Sequence, residues 1–224
     1  MAARLDILYE DNHLLVLNKP AGLATMGVTP DRPCLVEAVK HDLKVRYHKP
    51  GNVYVGIVSR LDASASGAIV MAKTSKAAAR LTDQFKSREV EKRYWAITSG
   101  NPPGHHECED WLRHEDRQEK VLVCRADARE AQLARLSFRR LQTIGRGSLL
   151  EIELETGRKH QIRVQLAARD WPIWGDRKYG SHDPFPVGIA LHSRRLAFTH
   201  PTRDTRLEFI APTPSHWQRL GVPA

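Results

Sequence analysis

Three short segments of the chain carry residue types that could do chemistry. The first is a polar loop between two segments rich in β-branched residues, and it reads Ser59-Arg60-Leu61-Asp62-Ala63-Ser64-Ala65-Ser66-Gly67. A carboxylate in such a place is costly unless its charge is paired or used. Asp62 is therefore a candidate catalytic acid or base. The commoner alternative is an Asp that closes a β-turn beside a solvated Arg60.

The second and third segments carry hydrogen-bond donors and a tyrosine. Glu155-Thr156-Gly157-Arg158-Lys159-His160-Gln161-Ile162-Arg163 joins a strand pattern to a helical one. Arginine forks and helix starts bind phosphates and carboxylates, and a capped helix with a solvated basic face is the alternative. Lys92-Arg93-Tyr94 lies on an alternating strand, where a tyrosine is usually a core or edge residue and is functional only beside a pocket.

The charge of the chain indicates a class of partner. The 224 residues include 35 Lys and Arg against 26 Asp and Glu, which gives a net charge of +9. The excess is concentrated in three segments: Lys73–Arg93 holds seven basic and three acidic residues, Thr156–Gly180 six and two, and His192–Arg206 four and one. These segments favour a polyanionic partner if they share one surface, and are solvated faces if they do not.

The composition excludes several classes of protein. Hydrophobic residues at 41% and charged residues at 27% are ordinary for a globular protein and argue against disorder. No apolar run is long enough to cross a bilayer, and the N-terminal residues lack an apolar signal core. Three cysteines without Cys-x-x-Cys spacing favour a reducing compartment, so a cytoplasmic location is expected. No Gly-rich phosphate loop supports a nucleotide-cofactor fold.

The patterns around these segments predict an α+β fold. Alternation and apolar runs predict strands at 5–9, 14–17, 53–58, 67–72, 90–98, 133–141, 149–154, 189–191, 196–199 and 207–210. Helical spacing predicts helices at 35–43, at 77–85 with a cap near Thr74 or Ser75, and through Ile162 and Leu166. Many short strands and few helices predict one mixed, mostly antiparallel sheet flanked by helices and loops. The polar stretch 101–129 fits no pattern and is expected to be a surface excursion or a weak linker.

Taken together, the motifs resemble the RluA-type pseudouridine synthases, which isomerise uridines in structured RNA. The family's H-R-L-D-x-x-T-S-G motif matches Arg60-Leu61-Asp62 and Ser66-Gly67, and its K-x-Y motif matches Lys92-Arg93-Tyr94. Its T-G-R-x-H-Q-I-R block matches Thr156–Arg163 at every fixed position. The resemblance continues, in the family's order, in Tyr9–Gly22, Gly175-Asp176, Tyr179-Gly180 and Leu191–Leu196. Ser59 and Ala65 stand where the family usually has His and Thr.

This resemblance implies a single pseudouridine-synthase-like catalytic domain over 1–224, with 101–129 as a variable excursion. Because few residues precede Tyr9, no N-terminal RNA-binding module of the kind that many relatives carry is expected. It implies that Asp62 is the catalytic carboxylate, that Arg163 pairs with it, and that Tyr94 stacks on the flipped uracil. The implied substrate-binding residues are Arg60 in the space that the base leaves, Ile162 and Leu154 as apolar walls or plain core residues, and Lys92 and Arg158. The implied partner is structured RNA, either transfer or ribosomal. No cofactor, metal or membrane is expected, and a monomer is the default expectation.

Two other functions are compatible with the sequence. A non-catalytic RNA-binding protein or RNA chaperone on the same scaffold would account for Ser59 and Ala65. A zinc site would draw on a set of ligand types whose spacing fits no standard finger, namely His105, His106, Cys108, His114 and Cys124. His160 and His192 belong to blocks that we assign to the fold and the RNA surface rather than to catalysis.

Overall fold

The computed structural model describes residues 5–27, 33–115 and 120–224. These residues fall into two compact units: unit 1 extends to Glu91 and includes Ser193–Pro212, and unit 2 comprises Lys92–His192 and Thr213–Ala224. The elements in chain order are β1 (Ile7–Glu10), β2 (Leu14–Lys19), α1 (Leu35–Arg46), β3 (Gly56–Ile57), β4 (Ser66–Ala72), α2 (Ser75–Lys86), β5 (Glu91–Ser99), β6 (His105–Glu115), β7 (Lys120–Cys124), β8 (Gln132–Ile144), β9 (Gly147–Leu154), α3 (Gln161–Ala167), a 3-10 turn (Arg177–Tyr179), β10 (Leu191–Thr199), β11 (Arg206–Ile210) and α4 (Ser215–Gln218).

Unit 1 is built on a sheet with helices on both of its faces. The strand order is β1-β2-β4-β10, with β3 paired to β4 and β11 paired to β10. Alternate residues of β2 and β4 pack with Ala77 and Leu81 of α2, and the intervening residues pack with Leu35, Val39 and Leu43 of α1. Because both faces are covered, these strands are continuous apolar runs, as the sequence predicts. Their antiparallel register runs from Leu14 opposite Ala72 to Lys19 opposite Gly67.

The start of α2 follows the predicted signal. Thr74 precedes α2 in an extended conformation, and its Oγ1 accepts a hydrogen bond from the Ala77 amide at 3.2 Å. This is the N-cap that the sequence predicts near Thr74 or Ser75, and it satisfies one of the amide groups that a helix start leaves without a partner.

Unit 2 has its own antiparallel strands in the order β5-β9-β8-β6-β7. The sequence pattern misses β6 and β7, which both lie in the stretch 101–129; residues 116–119 of that stretch are outside the described residues. Strand β6 pairs with β8 from His105 opposite Arg139 to Leu112 opposite Gln132. The stretch therefore contributes two strands to the unit.

These observations confirm the predicted α+β class, with mostly antiparallel strand pairs flanked by a few helices. In the part of the chain that the structure describes, no helix combines the length and the apolar character needed to cross a membrane.

Candidate active site

The loop that carries Asp62 joins β3 to β4 in unit 1, as the sequence predicts. The Arg60 side chain is exposed, and Asp62 is half-buried. The Ala65 amide donates a hydrogen bond to the Asp62 carbonyl oxygen at 3.1 Å, and Ala65 itself is fully buried. Asp62 therefore lies at the start of a tight turn that leads directly into β4.

A second segment, residues 19–25, fixes the backbone on both sides of Asp62. The Thr25 hydroxyl donates to the Leu61 carbonyl oxygen at 2.8 Å and accepts from the Leu61 amide at 3.1 Å. The Gly22 amide donates to the Ala63 carbonyl oxygen at 2.7 Å. The backbone position of Asp62 is thus set by hydrogen bonds to its two neighbours in the chain.

Lys19 is a buried cation beneath this loop. Its side chain has no solvent exposure, and its Nζ donates to the carbonyl oxygens of Pro20 at 2.9 Å, Leu23 at 2.8 Å and Ala63 at 3.4 Å. Burial lowers the pKa of Lys19 to about 8, and the negative charge of Asp62 acts in the opposite direction. The ammonium group and the carboxylate are therefore close enough to interact electrostatically.

Neither Lys19 nor Thr25 is among the site residues that the sequence predicts. Both act on the backbone of the loop through hydrogen bonds to carbonyl or amide groups, which leave no side-chain pattern in the sequence. The one available signal is a lysine that ends an apolar strand immediately before Pro20, since a buried strand otherwise continues with apolar residues.

In unit 2, Tyr94 lies half-buried on β5, opposite Ile152 of β9. The next residue, Trp95, is almost fully buried, and its indole Nε1 donates to Glu151 at 3.4 Å. Lys92, two residues before Tyr94, approaches the T-G-R block (Thr156–Arg163), because a Cβ atom on Gly157 would lie 3.7 Å from its Nζ. The K-x-Y strand and the T-G-R block are therefore adjacent within this unit.

The side chain of Gln161 organises the T-G-R block where it enters α3. Its Oε1 accepts from the Thr156 hydroxyl at 2.8 Å and from the Arg158 amide at 3.0 Å. Its Nε2 donates to the Arg135 carbonyl oxygen on β8 at 3.0 Å. The block is thus a hydrogen-bonded loop that fixes the first turn of α3, on which Arg163 lies.

Arg163 is buried and forms an ion pair within unit 2. Its Nε donates to Oδ2 of Asp176 at 2.6 Å and its Nη2 donates to Oδ1 at 2.8 Å, and the two side chains are 7% and 1% exposed. The guanidinium group also lies over the ring of Tyr179, 4.9 Å from its centroid. This pairing of Arg163 with Asp176 is not among those that the sequence predicts. The expected pairing of Arg163 with Asp62 stays a prediction.

The remaining predicted substrate-binding residues of unit 2 differ in exposure. Ile162 is 4% exposed, which is typical of a core residue, whereas Leu154 is half-buried opposite Leu136 of β8. The side chain of Arg158 is exposed, and its Nε donates to the Leu133 carbonyl oxygen at 3.0 Å. Leu154 and Arg158 therefore have surface that a substrate could contact.

The candidate zinc ligands do not form a cluster. Within residues 5–27, 33–115 and 120–224, no group of three or more His, Cys, Asp or Glu side chains is placed to hold a metal ion. His106 packs edge-on against Trp171, and His114 Nε2 lies 2.7 Å from Lys159 Nζ. Burial raises the pKa of the Cys108 thiol to about 11, which disfavours the thiolate that a metal would need.

Known sequences provide an independent comparison. A family model described as RNA pseudouridylate synthase matches residues 13–168. An uncharacterised RNA pseudouridine synthase of Synechocystis sp. is 38% identical over 97% of this chain and 68% of its own length. Ribosomal large subunit pseudouridine synthase D of Zymomonas mobilis is 34% identical over 96% of this chain and 71% of its own length.

Solved structures agree with these sequence matches. Human RNA pseudouridylate synthase domain containing 4 superposes with a TM-score of 0.79 at 26% identity, covering 98% of this chain and 95% of the human chain. Human RNA pseudouridylate synthase domain containing 1 gives a TM-score of 0.77 at 25% identity, over 96% and 85% of the two chains. The family match spans the Asp62 loop, the K-x-Y strand and the T-G-R block, so the chain belongs to the RluA-type RNA pseudouridylate synthases and is an RNA uridine isomerase.

Proposed function

We propose that this enzyme isomerises selected uridines of large-subunit ribosomal RNA, with Asp62 as the catalytic carboxylate and the two units acting as one catalytic domain. The observation that carries the proposal is the fixed backbone around Asp62, held at Leu61 and Ala63 with the buried ammonium of Lys19 beneath it. The choice of ribosomal RNA is supported by relatives named ribosomal large subunit pseudouridine synthase D, which are 32–34% identical to this chain. Transfer RNA is the alternative substrate that the experiment includes.

The reaction is an isomerisation, so every atom of the base is retained except one exchanged proton. The N1–C1′ bond breaks, the uracil turns, and a C5–C1′ bond forms; the C5 proton leaves to solvent and N1 takes up a proton. In this scheme the ionised Asp62 acts on the sugar or the base. Tyr94 stacks on the uracil and assists removal of the C5 proton, and the planar fork of Arg163 orients the carboxylate.

A uridine inside a stem must leave its stack before a carboxylate can reach C1′. Extrusion has an unfavourable free energy that protein contacts must offset. Arg60 is exposed two residues before Asp62, and a guanidinium group can stack in the space that the base leaves. Leu154 would contact the turned uracil, and Lys92 and Arg158 would bind neighbouring phosphates.

The test is tritium release from RNA labelled at uracil C5, measured with a large-subunit ribosomal transcript and, separately, with transfer RNA. Asp62→Asn removes the charge and keeps the shape, so we expect release to fall by about 1000-fold or more with RNA affinity within about threefold of wild type. Asp204→Asn is the matched control, because it removes one negative charge from an exposed position in the same unit. Its activity should equal that of the wild type.

Three other outcomes of this experiment would change the proposal. Retained activity in Asp62→Asn would remove Asp62 from its proposed role. A wild type that binds both RNAs and releases no tritium from either would favour a chaperone-like function. Release from transfer RNA alone would replace the proposed substrate and leave the proposed chemistry in place.

A further inference from the structure

Arg163 is held by two side chains that come from a single turn of unit 2. The Asp176 carboxylate accepts from Nε and Nη2, and Cζ of the guanidinium group lies over the Tyr179 ring, 4.9 Å from its centroid. The Tyr179 amide donates to the Asp176 carbonyl oxygen at 3.1 Å, which fixes the two residues relative to each other. One turn therefore contacts the guanidinium group through two different side chains.

The Tyr179 ring is itself held at its far end. Its hydroxyl accepts a hydrogen bond from the Val121 amide at 3.0 Å and lies 2.8 Å from Nδ1 of His160. His160 directly precedes α3 and has a left-handed backbone with φ of 54°. The hydroxyl group thus links the ring both to β7 and to the residue that precedes α3.

The turn also begins at a residue that admits no side chain. Gly175 has φ of +81°, and a Cβ atom there would lie 2.7 Å from the Gly188 carbonyl oxygen and 2.8 Å from Cβ of Phe185. The backbone that precedes Asp176 is therefore packed in one position. Movement of the Asp176 backbone would need movement of the whole turn.

The energetics of a buried ion pair favour a role for Asp176 in orienting Arg163 over a role in stabilising the fold. A buried ion pair contributes little net stability, because the loss of hydration offsets most of the attraction between the two charges. A bidentate arginine–carboxylate pair nevertheless fixes direction more tightly than a single contact does. An ion pair as buried as Arg163 and Asp176 is thus better explained by a requirement for geometry.

We propose that Asp176 and Tyr179 are positioning residues that orient Arg163 for catalysis. This inference rests on the proposed function, in which Arg163 orients the catalytic carboxylate. Because Asp176 engages the edge formed by Nε and one N–H of Nη2, that role would fall to the opposite edge, formed by Nη1 and the second N–H of Nη2. Loss of the positioning should lower kcat and leave KM nearly unchanged, since neither residue is assigned a contact with RNA.

The kinetic test compares two Arg–Asp pairs of unit 2. Asp176→Asn keeps the shape of the carboxylate and weakens the paired geometry, and we expect kcat to fall by about 100-fold with KM within about threefold of wild type. Asp110→Asn is the matched control, because Asp110 accepts from Nη1 and Nη2 of Arg169 at 2.9 and 3.3 Å, just beyond α3. It should lower the melting temperature while kcat of the folded enzyme stays within about threefold of wild type.

A second variant covers the case in which Asp176→Asn does not fold. Tyr179→Leu removes the ring face and the hydroxyl contacts, and leaves the Asp176 carboxylate in place. We expect kcat to fall by about tenfold with KM little changed. A kcat within about threefold of wild type in either folded variant would overturn the proposal.

An NMR measurement separates this proposal from the proposed function. In the wild type the bidentate pair should slow rotation about the Nε–Cζ bond of Arg163, whose resonance can be assigned by its loss in Arg163→Lys. Asp176→Asn should speed that rotation, and Asp110→Asn should leave it unchanged. If the rotation responds but the wild type releases no tritium, the positioning stands and the proposed function fails. If the rotation is unaffected by Asp176→Asn, the positioning is wrong whatever the activity.

Discussion

Gly67 lies so close to Ser193 that a Cβ atom on Gly67 would be 2.3 Å from the Ser193 carbonyl oxygen and 2.5 Å from its nitrogen. The backbone at Gly67 also has φ of +111°, which side chains disfavour. Gly67 is the second residue of β4 and pairs with Lys19 on β2. The end of the Asp62 loop is therefore fixed by backbone packing that no other residue type permits.

We predict that Gly67→Ala destabilises the protein by about 3 kcal/mol or more, because the new methyl group meets backbone atoms that cannot rotate away. Unfolding in urea, followed by circular dichroism, measures the effect. Gly51→Ala is the matched control, since nothing lies within 4 Å of a Cβ atom there and its φ is not in the left-handed region. Equal midpoints for the two variants would contradict the prediction.

A second prediction concerns Lys19, whose pKa is lowered by burial from 10.5 to about 8. Below pH 8 the residue is charged in both the folded and the unfolded protein, so the unfavourable free energy of burying the charge is fully present. Between pH 8 and pH 10.5 the folded protein releases the proton while the unfolded chain keeps it. The contribution of Lys19 to stability should therefore rise with pH in this window, by up to about 3 kcal/mol.

Comparison with Lys19→Met isolates this contribution, because methionine has a similar length and does not titrate. The difference in unfolding free energy, wild type minus variant, should increase from about pH 7 to about pH 10. Other groups titrate in both proteins and cancel in the difference. A difference that is constant across the window would show that the Lys19 pKa is not lowered by burial.

Asp11 gives a third prediction at acid pH. Burial alone would raise the pKa of Asp11, but hydrogen bonds from the His13 and Leu14 amides, from His200 and from the Tyr9 hydroxyl lower it from 3.8 to about 2. The charged form is therefore favoured by the fold. This stability is fully present above pH 3.8 and is lost as the pH falls through 2.

Asp11→Asn should accordingly unfold more easily than the wild type at neutral pH, by about 2 kcal/mol. The deficit should shrink below about pH 4, where the wild-type carboxylate begins to protonate in the unfolded chain. Asp204→Asn removes a negative charge from an exposed position, serves as the control, and should keep the wild-type stability at neutral pH. An Asp11→Asn deficit that does not change with pH would assign the loss to packing rather than to charge.

The fold could be predicted where one type of pattern dominates. Continuous apolar runs identified β2 and β4, and the threonine before Ala77 identified the start of α2. Strand β6 was missed because its polar residues find partners far away in sequence: Glu109 pairs with Arg135 of β8 at 2.7 Å, and Asp110 with Arg169. Such pairs stabilise a polar strand, but they produce no alternation of apolar and polar residues from which the strand could be predicted.

The residues of the candidate site likewise divide into those that the sequence identifies and those that it does not. The motif residues Asp62, Tyr94 and Arg163 could be named from spacing and family resemblance, and the roles proposed for them stay predictions. Residues that act through the backbone, such as Lys19 under the loop, could not be identified in this way. Asp176 was visible only as part of a Gly-Asp pair, and its pairing with Arg163 is seen only in two short contacts of the folded protein.

The last prediction concerns the basic residues, and α2 offers its sharpest test. Lys76 and Lys86 are exposed on this helix, which lies in the first basic segment of the chain. Binding of RNA should weaken steeply with salt, and each lysine that contacts a phosphate should contribute about 0.7–0.9 to the slope of log affinity against log salt. The double variant Lys76→Gln, Lys86→Gln should reduce that slope by about 1 to 2 while leaving kcat unchanged.

Lys40→Gln is the control, because Lys40 lies outside the basic segments and pairs with Glu37 at 2.8 Å. If the double variant keeps the wild-type slope, α2 does not contact the RNA; a salt-independent wild type would remove the electrostatic argument for all three segments.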